Sequence, residues 1–263
     1  MEDRSIYLKE ALFAADLARQ IQLSYQSSGF EIETKSTEFD LVTTADKEAE
    51  KVISAHLLSK FPTHSILGEE GGARGEGPYR WIVDPIDGTV NFAHSLPCFS
   101  VSIGLEIEGV MEVGVIVDTT RGDVFTAIRG EGAYVNDAPI KVSKINNLKQ
   151  SLLATGFSYR LDQRKINLEF LDKTVGQGLS VRRLGSAALD LAYVAMGRFD
   201  GFWELSLSPW DAAAGVLLVE EAGGKVSTLE KGPYKLGDYS IVATNGHLHD
   251  PLIDLLQGPL PEL

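Results

Sequence analysis

A chain of 263 residues with 44% hydrophobic and 23% charged side chains can bury a sizeable core, as one large domain or as two modest ones sharing an interface. Its 37 acids against 24 bases leave a net charge of −13, which disfavours direct contact with nucleic acid or an anionic membrane. Cys98 is the only cysteine, no apolar run approaches the ~20 residues that cross a bilayer, and the opening MEDRSIYLKE lacks the segments of a signal peptide; a reducing, cytoplasmic setting is expected.

In chain order, Tyr7, Ala11, Ala14, Ala18, Ile21 and Tyr25 recur at spacings of four and three, which predicts a helix over 5–26 that Gly29 ends. A polar stretch with Lys35 and Asp40 reads as strand and loop. Thr43 or Thr44 then caps a second helix running to Pro62, and Asp46 falls in its first turn, where an acid favours the helix dipole. SILGEE, 65–70, predicts a short strand ending at Gly68 with Glu69 and Glu70 beyond it, and GGARGEGP, 71–78, a glycine-rich loop without phosphate-loop spacing.

The stretch WIVDPIDGTVNF, 81–92, carries the chemistry. An apolar run predicts a strand buried on both faces, Pro85 takes the backbone out of the sheet, and Asp84 and Asp87 can converge on one point. Gly88 permits a close backbone approach or a positive φ, and Thr89 can open a helix whose free N–H groups attract an anion. Two acids beside an anion site repel a phosphate unless a cation lies between; Mg²⁺ takes such oxygen ligands, with the Ile86 carbonyl as a further donor. The plainer alternative is an Asx-type turn in which both acids bond only local N–H groups.

Strands at 99–107 and 111–118 flank Glu108 and Gly109, a hairpin signal, and further strands in DVFTAI, AYVN and PIKVS complete an antiparallel meander over 81–143. Cys98, in LPCFSVSIG, reads as buried and inert. The pattern changes at 144–150, so we place a boundary between an N-terminal α+β domain, 1–146, and a C-terminal α/β domain, 147–263. Ser186 caps the helix AALDLAYVAMG, Glu204 ends the strand FDGFWE, and Asp211 opens the helix AAAGVLLVEEAGG. His247 and His249 read as a loop or helix start rather than a zinc pair.

GEE at 68–70, DPIDGTVNF at 84–92, GSAA at 185–188 and WDAAAG at 210–215, in this order and spacing, resemble the inositol monophosphatase family of Mg²⁺-dependent, lithium-sensitive sugar and polyol phosphatases. The resemblance implies a layered αβαβα sandwich, a homodimer, and two or three Mg²⁺ ions per site. One ion would be held by Glu69, Asp84 and the Ile86 carbonyl, another by Asp84, Asp87 and Asp211, and a third, weaker one would lie near Glu69. Glu69, Thr89 and Asp46 would place and activate the attacking water. Asp87, Gly88, Thr89, Gly185, Ser186, Ala187, Glu204 and Asp211 would contact the substrate, and Lys35 would lie near the metals. Inositol monophosphate is the expected substrate; fructose 1,6-bisphosphate and other phosphate esters of relatives remain alternatives, as does an added role binding transcription machinery.

Overall fold

The structure is a computed structural model that describes residues 3–34 and 41–258, so Lys35 and Asp40 lie outside the described residues. Helix α1 (Ser5–Ser28) buries Tyr7, Ala11, Ala14 and Ala18, the predicted face, and ends at Gly29. Strands β1 (Ile32–Thr34) and β2 (Leu41–Thr43) pair antiparallel. Thr43 caps α2 (Thr44–Lys60) in a capping box: its hydroxyl accepts from the Asp46 N–H while the Asp46 carboxylate accepts from the Thr43 N–H.

The first large sheet holds β3 (Ser65–Gly68), β4 (Gly72–Arg74) and β5 (Tyr79–Asp87). After the short helix α3 (Thr89–Ala93) come β6 (Ser100–Ile107), β7 (Val110–Asp118), β8 (Val124–Ile128), β9 (Gly132–Val135) and β10 (Ala138–Pro139). Their order is β10-β9-β8-β7-β6-β5-β3-β4, antiparallel throughout except for β3 beside β5. Glu108 and Gly109 form the two-residue hairpin turn, both with positive φ. Two expectations need correction. The glycine-rich stretch contributes β4, because Gly72–Arg74 folds back to pair with β3. PIKVS adds little: β10 stops at Pro139, and residues 140–147 carry no regular structure.

Pro85 does not take the chain out of the sheet. Pairing runs through it, from Asp84 opposite Ser102 to Asp87 opposite Ser100, with a shift of register between. Three residue steps on β5 thus face two on β6, which is a β-bulge, and a bulge tolerates the missing proline N–H. In an unbroken strand residues three apart point to opposite faces; the extra residue returns Asp84 and Asp87 to one side. The bulge is held from behind, where buried Gln22 of α1 donates its Nε2 to the Pro85 carbonyl at 2.7 Å.

A 3₁₀ turn (Leu148–Gln150) leads into β11 (Leu152–Thr155), α4 (Leu161–Gly176), β12 (Ser180–Arg182), α5 (Ala187–Ala195) and β13 (Gly201–Leu205). Helix α6 (Pro209–Glu221), β14 (Lys225–Ser227), β15 (Ser240–Thr244) and α7 (His249–Gln257) follow. The sheet order is β12-β11-β13-β15-β14. The first three strands are parallel, as strand–helix alternation requires, whereas β15 runs antiparallel to both neighbours. Asp211 does not open α6: Ser208 is its cap, Pro209 its first residue, and Asp211 sits at the third position.

Helices α1 and α2 cover one face of the first sheet over Trp81, Val83 and Ile103. Helices α5 and α6 lie between the sheets, packed on Ile82, Ile116 and Phe125 on one side and on Phe202 and Ile241 on the other. Helix α4 and α7 close the outer face of the second sheet over Trp203 and Val242. The layering is αβαβα, and burial of each large apolar side chain contributes about 1.5–3 kcal/mol. Helices of the second half finish the core of the first, so the two halves share one interior. Among the described residues no helix is long and apolar enough to cross a membrane.

Candidate active site

The end of β3, the β5 bulge, the start of α3, the turn before α5, the end of β13 and the start of α6 meet around one cleft of about 670 Å³, open solvent at its mouth included. Glu69, Asp84, the Ile86 residue, Asp87, Gly88, Thr89, Gly185, Ser186, Ala187, Glu204 and Asp211, all singled out from sequence, line it. Asp46 lies behind that lining, fully buried, and reaches it through Thr89, whose hydroxyl sits 3.0 Å from Asp46 Oδ1 and 3.0 Å from the Ile86 carbonyl.

Gly88 has φ 96°, and a Cβ there would stand 3.0 Å from the Cys98 carbonyl and 3.1 Å from that of Gly185. No other residue type allows both the left-handed backbone and this approach of the two halves. Asn91 ties the same junction, its Nδ2 donating to the carbonyls of Cys98 at 2.7 Å and Leu184 at 2.8 Å. Cys98 is half-buried rather than buried, and desolvation pushes its thiol up to about 11. It holds the thiol form near neutral pH.

The acids are electrostatically strained. Burial, then the charges of Glu69, Asp87 and Asp211, hold Asp84 well above the usual carboxylate range, and burial followed by Glu69 and Asp87 does the same to Asp211. Burial raises Asp87 as well, against four hydrogen bonds that lower it. Asp46 is pushed up to about 6, chiefly by burial. Each acid answers this locally. Asp84 accepts from the Ile86 N–H at 3.0 Å, and Asp211 from the Ser208 N–H at 2.8 Å. Asp87 turns to the start of α5, accepting from the Ala188 N–H at 2.9 Å, the Ala187 N–H at 3.2 Å and the Ser186 hydroxyl. The GSAA turn thus gives donors to Asp87.

Among the described residues no three of His, Cys, Asp and Glu close into a finished metal-ligand set. The acids line a shared cavity and repel one another across it, so the cavity favours a positively charged occupant. Donor chemistry nonetheless fits a hard divalent cation: the lining offers carboxylates and carbonyls, holds no His or Cys, and has Arg183 as its single basic side chain.

Four lining or supporting residues escaped the sequence reading. Asp190, 1% exposed, lies on α5 with its Oδ1 unpartnered and burial holding it well above the usual range. Arg183 stands opposite it and Glu204, lowering both against a burial penalty that takes Glu204 to about 8. Gly156 makes room for Glu204, since a Cβ there would meet its Oε2 at 2.1 Å. Asn91 is the fourth. A lone acid inside the apolar helix AALDLAYVA was the available signal for Asp190; Gly156 and Arg183 offered none.

The model of the inositol monophosphatase family matches residues 4–258. The chain is 46% identical over 229 residues to a protein of Pseudomonas aeruginosa named Nus factor SuhB, covering 84% of each. It is 43% identical over 226 residues to the inositol-1-monophosphatase of Rhizobium meliloti, covering 84% of this chain and 85% of that one. The solved structure of inositol monophosphatase from Anabaena superposes with a TM-score of 0.87 at 43% identity, covering 98% of both chains. With nearly its whole length matched and the motif residues gathered at one cleft, the chain belongs to the inositol monophosphatase family.

Proposed function

We propose that the protein hydrolyses polyol monophosphates, myo-inositol 1-phosphate foremost, by direct in-line attack of water. The observation that carries this reading is the meeting of Glu69, Asp84, Asp87 and Asp211, from distant parts of the chain, in one cleft lined by a single basic side chain. Two or three Mg²⁺ ions held by these acids and the Ile86 carbonyl would neutralise the phosphoryl oxygens and make water a stronger nucleophile.

The chain's own groups do the rest. Glu69 takes a proton from the attacking water as the water oxygen bonds to phosphorus and the bond to the polyol oxygen breaks, the departing alkoxide taking a proton from solvent. Thr89, fixed between Asp46 and the Ile86 carbonyl, orients the water. The backbone at Gly88 and Thr89 borders the phosphate. Glu204 and Asp190 accept hydrogen bonds from the polyol hydroxyls, beside Arg183, whose charge favours their ionised forms against burial. Asp87 leaves or keeps its donors on α5 according to what enters the cleft, and Ala187 is freed for the substrate in the first case. Most cation ligands come from residues 1–146 and most substrate contacts from 147–263, the division read from sequence. A cytoplasmic homodimer, sensitive to lithium, belongs to the same reading.

Phosphate release from myo-inositol 1-phosphate with Mg²⁺, for wild type and Asp87→Asn, tests it beside fructose 1,6-bisphosphate and other esters. Wild type is expected to prefer the inositol ester and the variant to lose activity on all of them. Equal inactivity of both proteins across the panel would overturn the reading in favour of a protein-binding role. That role is the second reading, supported by a relative named Nus factor SuhB, and the retained acids make it an addition to hydrolysis rather than a replacement.

A further inference from the structure

Asp46 and Glu50 lie four residues apart on α2, so both project from one face of the helix, and both are buried. Asp46 reaches Thr89. Glu50 reaches the other loop of the cleft without entering the cleft itself: its Oε2 accepts from the Glu70 N–H at 2.6 Å and its Oε1 from the Gly71 N–H at 2.8 Å. Two successive peptide N–H groups are thus clamped by one carboxylate, and Arg74 Nη2 approaches the same carboxylate at 3.5 Å.

The loop is shaped around this contact. A Cβ on Gly68 would stand 2.5 Å from the Glu50 carboxyl carbon; one on Gly71 would stand 1.9 Å from Arg74 Nη2 and 2.5 Å from Glu50 Oε1. The first glycine thus leaves space that the carboxylate fills, and the second leaves space that carboxylate and guanidinium share. Glu69 lies between them. Its own N–H donates to the Val83 carbonyl of β5 at 3.2 Å, which fixes the main chain on one side, and Glu50 fixes it on the other. Helix α2 is in turn anchored by Ala49, Ile53 and Leu57 against the first sheet. One rigid helix therefore holds both the Thr89 turn and the Glu69 turn, each by a buried acid.

We propose that Glu50 is a positioning residue that sets divalent-cation affinity by fixing the direction of Glu69. This rests on the cation-dependent reading above. Without the clamp the 69–71 turn gains freedom that cation binding must then remove, so affinity falls while turnover at saturating cation is largely kept.

The test uses the full chain and Mn²⁺ alone, with bound and free ion counted by electron paramagnetic resonance and checked by calorimetry, and no substrate present. Glu50→Gln should weaken Mn²⁺ binding about 10-fold or more, the range of outer partners at metal sites. Gly68→Ala, which displaces the carboxylate while leaving it in the chain, should weaken it in the same direction, and Glu50→Asp should recover part of the loss. Melting in EDTA establishes that each variant is folded. Mn²⁺ affinity within about 2-fold of wild type in folded Glu50→Gln and Gly68→Ala, whatever the change in melting temperature, would overturn the positioning role and leave the cation reading standing. Wild type that takes up no Mn²⁺ would remove both.

Discussion

The two walls of the cleft treat their acids differently. On and behind the wall built from α2, the β5 bulge and α3, three carboxylates are aimed by backbone donors: Asp46 by Thr43, Glu50 by Glu70 and Gly71, Asp84 by Ile86. On the wall built from α5 and β13, Glu204 and Asp190 are buried opposite Arg183, and one oxygen of Asp190 accepts no bond among the described residues. A carboxylate held by fixed N–H groups is aimed before anything enters. One with an open acceptor gains when a hydroxyl arrives. Under the proposed function the first wall would serve cations and the second the polyol, and Asp87, lying on the bulge yet bonded to α5, joins them.

Substitutions should separate the walls. The largest effect is expected at Asp84: Asp84→Asn should lower phosphate release by more than about 100-fold, the upper end of what outer partners of a metal site cost. In EDTA the same variant should melt higher than wild type, because Asn cannot ionise whereas Asp84 must either take up a proton or bear a charge among Glu69, Asp87 and Asp211. A lower melting temperature would show that these acids do not repel.

Next comes Thr89. Thr89→Val removes the hydroxyl between Asp46 and the Ile86 carbonyl and should reduce kcat about 100-fold, with Thr89→Ser restoring most of it. If serine failed to restore what valine removed, the hydroxyl would have no part in placing water. On the opposite wall Asp190→Asn should raise KM for the inositol ester about 10-fold with kcat nearly unchanged, the signature of lost ground-state binding. A fall in kcat with KM unchanged would move Asp190 to the first wall's chemistry.

The smallest effect is on stability against pH. Glu204 titrates near 8 in the folded chain against an ordinary value of 4.5, so the folded state binds its proton more tightly than the unfolded one. That stabilisation is present below 4.5 and is lost as pH rises through 8. Melting in EDTA at pH 5 and pH 9 should show wild type losing more than Glu204→Gln, by more than about 2 °C. Equal losses would place the proton elsewhere.

Much of the first wall was legible because its acids sit in unbroken motifs whose turn residues state their own conformation. DPIDGT announces a proline, two acids, a left-handed glycine and a helix-opening threonine within one turn, and the fold follows that text except at Pro85. There the bulge depends on a partner strand and on Gln22 from α1, which local sequence does not show. Asp211 was displaced for a related reason: Ser208 and Pro209 form a stronger helix start two positions earlier. The second wall was harder to read, since Gly156, Arg183, Glu204 and Asp190 come from separate elements and meet only after the second sheet has formed. Glu50 was hidden by its setting, an ordinary charged residue in the amphipathic helix KEAEKVISAHLLSKF.

Crystals grown with Mn²⁺ and measured at a wavelength where manganese scatters anomalously test the central claim most directly. Anomalous density is expected among Glu69, Asp84, Asp87 and Asp211, with Asp87 drawn towards it. Density confined to the protein surface, or none at concentrations that support phosphate release, would contradict it.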